Sequence, residues 1–211
     1  MKENTVMKEG THLTLKDGRE ILLQDDTDIL LLICSKHEII YSHPFTCPSG
    51  GYGGGTLLLS PSEQYLIFSF FSGESEEGFS LFQIEDSRLV PLFESGYFYG
   101  EGASYLFADD EGFLFQSLLG GFGPWYIEDA VQDEEGVPYF QYGEINILDV
   151  KSKSLSRHEF HVYPSETWEE EINGPSDISK ITGGDTLHIA MPWGEETLTL
   201  PLPKTIVFKP E

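Results

Sequence analysis

Short apolar stretches divided by turn residues recur along this chain, and two of the longer blocks read as one unit written twice. The first runs Leu58 to Ser69, then Phe79 to Ile84 and Arg88-Leu89. The second runs Leu106 to Ser117, then Ile145 to Val150 and Ser154-Leu155. Each is strand, acidic turn, strand, loop, strand, turn, strand. Upstream, Thr11 to Leu15 alternates polar and apolar residues, Lys16-Asp17-Gly18-Arg19 is a turn, and Glu20 to Gln24 follows as a strand. Ile29 to Cys34 is a continuous apolar run, far too short to span a bilayer, and predicts a buried strand paired with Glu38 to Ser42. This part is expected to be a degenerate first copy of the unit.

Repetition of a four-stranded unit predicts stacked or radially arranged β-meanders. The expected fold is all-β, one domain over 1–211, with units near 11–45, 56–95, 104–162 and 178–208. Three to four units suit a small or incomplete β-propeller-like assembly, with a β-sandwich as the alternative. Thr186 to Ala190 and Glu196 to Leu200 predict a closing hairpin, and Pro201, Pro203 and Pro210 an irregular tail. Thr167 and Glu170 have capping-box spacing for one short helix, and an edge strand fits that segment almost as well. The two matched units differ most between their second and third strands. There the second carries a long insertion, Gly120 to Glu144, expected to be a loop on one face of the repeat.

The segment Leu59-Ser60-Pro61-Ser62-Glu63-Gln64-Tyr65-Leu66-Ile67-Phe68 resembles the Ser-Pro-Asp-Gly box of TolB-type and WD-like propeller repeats. Gly78 to Ile84 resembles the third strand of such a blade. Here Ser62-Glu63-Gln64 replaces Asp-Gly, and Ala108-Asp109-Asp110-Glu111-Gly112 lacks the Ser-Pro. The resemblance covers about half the chain and implies blade structure. It implies no activity, because propellers host many functions. The glycine-rich and Glu-Ser-Glu-Glu-Gly segments also resemble a group of uncharacterised bacterial proteins, which implies none either.

Charge narrows the partners. The chain has 36 Asp and Glu against 12 Lys and Arg, a formal net charge of -24. Between His37 and Val150 the only Lys or Arg is Arg88. Nucleic acid and anionic membrane surfaces are disfavoured, because both are held by cationic side chains. A basic protein or divalent cations would be attracted, while solubility alone is the plainer reason for such acidity. Met1 to Gly10 is polar, with no apolar signal segment, so a cytoplasmic location is expected, with Cys34 and Cys47 as free thiols.

Chemistry is sparse. No cofactor, metal or catalytic residue is expected. There is no zinc spacing, no His-Glu-x-x-His and no Gly-x-Ser-x-Gly. His158 and His161, three apart on a strand, would face opposite sides. The glycines from Ser49 to Gly55 precede a strand rather than a helix, so they predict close backbone packing or a mobile loop instead of a phosphate cradle. Two readings remain. In the first, a non-enzymatic acidic protein captures a basic partner through Glu74, Glu76 and Glu77 and through Asp133, Glu134 and Glu135. In the second, Tyr52, Tyr97, Tyr99, Glu101 and Trp125 converge on a pocket for a cationic or sugar-like molecule, with binding or hydrolysis as the outcome.

Overall fold

The computed structural model describes residues 8–25, 28–46, 52–71, 76–99, 105–107, 112–118, 130–163, 177–182, 185–191 and 194–208. All regular structure among them is β, and no helix among them is long and apolar enough to cross a membrane. Thr167, Glu170 and Cys47 lie outside the described residues. The chain divides into two compact units, one up to Phe98 and one from Tyr99 onward.

The first unit holds two antiparallel meanders. One comprises β2 (His12–Thr14), β3 (Glu20–Gln24), β4 (Ile29–Ser35) and β5 (Glu38–Phe45). The other comprises β6 (Gly54–Leu59), β7 (Tyr65–Phe71), β8 (Glu76–Ile84) and β9 (Leu89–Glu94). A short β1 (Lys8–Gly10) adds antiparallel to β6, and β10 (Phe98–Tyr99) pairs with β8. The apolar run of β4 is buried on both faces, as a continuous hydrophobic strand requires, and includes the free thiol of Cys34.

The period of two along β6 and β7 sorts their side chains. Leu57, Leu59, Leu66, Phe68 and Phe70 share a core with Leu13, Leu15, Ile21, Leu31 and Ile33 of the other meander. Leu58, Ile67, Phe79 and Leu81 are buried on the opposite face. The glycines that open β6 are there for proximity. A Cβ on Gly55 would stand 2.6 Å from Cε2 of Phe68 and 2.7 Å from the Ser69 carbonyl. Only glycine lets that backbone sit against the ring.

Turns tie the two meanders together. Glu63, in the Ser60 to Gln64 turn, has φ +62°, the left-handed region that a glycine would occupy without cost. Its carboxylate accepts the Lys16 backbone N–H at 2.6 Å, and Lys16 Nζ donates to the Pro61 carbonyl at 3.0 Å. Arg19, in the same β2–β3 turn, donates Nε to Asp17 at 2.7 Å and Nη1 to the carbonyls of Glu85 and Asp86 at 2.7 and 2.8 Å. The Arg19 backbone N–H, ahead of its guanidinium, holds the Asp17 carboxyl below the usual range.

A half-buried imidazole sits between the same meanders. His43 of β5 meets Phe82 edge-on at 5.1 Å, and its Nδ1 lies 3.2 Å from the Tyr41 hydroxyl, which donates to the Leu89 carbonyl. Burial lowers the His43 pKa below 6.5, with Glu94 partly opposing. A depressed folded pKa means the unfolded chain takes up the proton first. The contribution is fully present above pH 6.5 and is lost as pH falls from there through the lower folded value. The urea midpoint is therefore expected to drop between about pH 7.5 and about pH 5.5, and His43→Gln to flatten that drop. An equal drop in both proteins would remove His43 as its cause.

Among its described residues the second unit carries a larger sheet, with five strands in one continuous order, and a three-stranded one. The larger is β11 (Tyr105–Phe107), β12 (Gly112–Leu118), β14 (Pro138–Asp149), β15 (Ser154–Val162) and β19 (Thr205–Phe208), in that order. The smaller is β16 (Asp177–Thr182), β17 (Thr186–Met191) and β18 (Gly194–Thr199). Two features depart from the sequence reading. The insertion is not all loop: β14 begins at Pro138 and pairs with β13 (Val131–Gln132) in a hairpin of its own. The proline-rich tail is not all irregular: β19 runs parallel to β15, with Phe208 against Phe160 at 5.5 Å between ring centres. Prolines at 201 and 203 precede that strand and leave its N–H groups free for the ladder.

Candidate functional site

The best-built candidate lies where the insertion meets the end of β15. Alternation along Glu159-Phe160-His161-Val162-Tyr163 decides the faces. Phe160 and Val162 are buried, so Glu159, His161 and Tyr163 point the other way. Antiparallel register places Phe140 opposite Val162, and hence Tyr139 opposite Tyr163 on that same outward face. The rings meet: Tyr139 stacks on His161 at 4.2 Å with 20° between planes, and lies 5.7 Å from Tyr163. Val131 is paired with Tyr139, and Val207 of β19 with His161. Both valines are about half exposed.

Carboxylates border this aromatic row. Glu159 Oε2 lies 3.6 Å from His161 Nε2. Asp133 organises the β13–β14 turn, where its Oδ1 accepts the N–H groups of Glu135 and Val137 at 2.9 and 2.8 Å. The turn closes through Asp133 N–H to Val137 O and Gly136 N–H to Asp133 O, with Gly136 at φ +78°. This is a type I turn completed by a left-handed residue, which glycine adopts without Cβ strain. The second oxygen of Asp133 accepts the Tyr163 hydroxyl at 2.9 Å. That bond, ahead of burial and the nearby charges, raises the Tyr163 pKa above 10.0. Glu134 and Glu135 are exposed at the tip. The arrangement offers planar rings, two exposed valines and a rim of negative charge. It suits a cationic, partly apolar group, and its described residues include no nucleophile–base pair.

The sequence-derived candidates fall unevenly. Asp133, Glu134 and Glu135 share the hairpin turn, with Asp133 committed to holding it. Glu76 and Glu77 are half-buried at the start of β8, in the other compact unit. Tyr52 and Tyr97 both pack against the core of the first unit. Tyr97 meets Phe70 edge-on at 5.6 Å, and the Tyr52 hydroxyl donates to Asp25 at 3.3 Å. Glu74, Glu101 and Trp125 lie outside the described residues, as does the side chain of Tyr99. A depression lined by Glu85, Asp86, Ser87 and Arg88 is open to solvent and holds the Arg88–Glu85 ion pair at 2.6 Å. His158 and His161 do occupy opposite faces of β15, with Nδ1 of His158 donating to the Pro203 carbonyl at 2.7 Å.

Sequence reasoning missed Tyr139, His161 and Tyr163. The alternation from Glu159 to Tyr163 was a legible signal for the last two. Nothing in the sequence showed that Tyr139 stands across from them.

No protein-family model matches the chain, and no curated protein does. Among solved structures it is similar to a puromycin-hydrolyzing peptidase from Mycobacterium tuberculosis, at 13% identity and a TM-score of 0.43. That match covers 96% of this chain and 33% of the other. It is also similar to TolB from Acinetobacter baumannii, at 16% identity and a TM-score of 0.36, over 91% of this chain and 43% of that one. The chain thus spans less than half the length of either. At such scores neither neighbour assigns a family or an activity, and the chain is described by its own strands, as an all-β protein of repeated antiparallel meanders.

Proposed function

We propose that this is a non-enzymatic, cytoplasmic binding protein that captures a basic protein partner, on blade-like meanders of the propeller type. The observation that carries the reading is the exposed acidic turn at Glu134 and Glu135, held in shape by Asp133, in a chain of net charge -24. A fixed negative surface steers a cationic partner and speeds its encounter, and salt screens that attraction. A preformed turn also spares the ordering cost that a floppy acidic loop would meet on binding.

The reading is tested by passing lysate over the tagged protein at low and high salt and identifying what is retained. A basic protein is expected at low salt and absent at high salt. Its association with the double variant Glu134→Lys, Glu135→Lys is expected to slow on the order of tenfold at low salt, with a shallower salt dependence. No salt-sensitive partner, or one that ignores the double variant, would sink the reading.

A further inference from the structure

The geometry points to arginine, rather than positive charge in general, as what the face formed by Tyr139, His161 and Tyr163 takes from its partner. The inference rests on the proposal that the protein binds a basic partner, and it names the side chain and the place. Three planar rings already form a row, two of them stacked at 4.2 Å and 20°. A guanidinium is planar and weakly hydrated, so it extends such a row by stacking on an aromatic face. An ammonium is a compact, strongly hydrated charge and gains less from the same rings. The guanidinium fork also pairs with a carboxylate through two parallel hydrogen bonds. Glu159, its side chain 39% exposed, stands along the row beside His161, and Glu135 stands at the adjoining turn.

The remaining surface fits a polypeptide rather than free arginine. Val131, Val137 and Val207 are 48%, 42% and 50% exposed. They offer apolar area on either side of the rings for the residues flanking an arginine. The acidic rim excludes an anionic occupant by charge, and the valines give a small, fully hydrated cation nothing to bury against.

The test uses the full chain and two short peptides of equal charge, one alternating arginine with glycine and one alternating lysine with glycine. Binding is followed by fluorescence anisotropy at low salt. The arginine peptide is expected to bind several-fold more tightly than its lysine twin. Tyr139→Leu keeps apolar bulk and removes the ring, and is expected to weaken the arginine peptide roughly tenfold and the lysine peptide little. Glu159→Gln sits on an exposed side chain and leaves the packing alone, so it guards against a folding defect in the first variant. It is expected to weaken the arginine peptide several-fold, while Glu38→Gln, on an exposed side chain of the other compact unit, leaves it unchanged. Equal affinity for the two peptides, or arginine binding indifferent to both Tyr139→Leu and Glu159→Gln, overturns the site and leaves the charge reading standing. Failure of both peptides to bind at low salt overturns the charge reading and the site together.

Discussion

Phe68→Ala is expected to destabilise the first compact unit by about 3–5 kcal/mol, the usual cost of removing a buried phenylalanine ring. Phe68 is fully buried at the centre of β7. Phe45 meets its ring edge-on at 4.8 Å, Phe70 lies tilted against it at 5.6 Å, and it lies over the bare backbone of Gly55. These neighbours belong to both meanders, so truncation opens a cavity between the two sheets rather than at an edge. Collapse into that cavity is hindered by β4 and β7, which are packed on both faces. Phe68→Leu, which keeps most of the volume, is expected to cost roughly 1–2 kcal/mol. Urea unfolding followed by amide exchange in β6 to β8 would read both values. A loss below about 1 kcal/mol for the alanine variant would show that the shared core is not what holds these meanders together.

Arg19→Ala is expected to cost about 2–3 kcal/mol, more than its place in a turn suggests. Its guanidinium reaches from the β2–β3 turn to two carbonyls of the β8–β9 turn, at 2.7 and 2.8 Å, while Asp17 orients it from below. The side chain is 18% exposed, and its bond to the Glu85 carbonyl is partly shielded from water. Arg19→Lys is expected to recover only part of the loss, because one ammonium cannot reproduce the fork that bridges Asp17 and both carbonyls. Arg88→Ala is the comparison. Its side chain is 61% exposed and its partner Glu85 lies one turn of chain away, so little is expected from its removal. Equal effects at the two arginines would mean that the tie between the turns contributes nothing beyond an ordinary surface charge.

Much of the fold was written in local pattern. The continuous run Ile29 to Cys34 could only be a strand covered on both sides. The alternation of Thr11 to Leu15, and the matched blocks around Leu58 to Ser69 and Leu106 to Ser117, placed strands close to where they stand. The turn at Lys16-Asp17-Gly18-Arg19 was legible because Asp and Gly are chosen for turn geometry. The insertion was misread for the opposite reason. Asp133-Glu134-Glu135-Gly136 carries the residues of a tight hairpin turn, yet its flanking strand β13 is two residues long, too short for a periodic signal. The tail was misread because its prolines mask the four-residue β19, whose partner lies more than forty residues earlier in the chain.

The candidate site divides along the same line. Sequence by itself determined the sign of the charge, the acidic residues at 133 to 135, and the outward face of Glu159, His161 and Tyr163, since charge and alternation are properties of neighbours along the chain. Tertiary structure alone decided that Tyr139 crosses to stack on His161, that Asp133 spends both oxygens on the turn and on Tyr163, and that Tyr52 and Tyr97 serve the core of the first unit. Each of these depends on strand register, and register is set by which faces become buried together, a choice made by residues far apart in sequence.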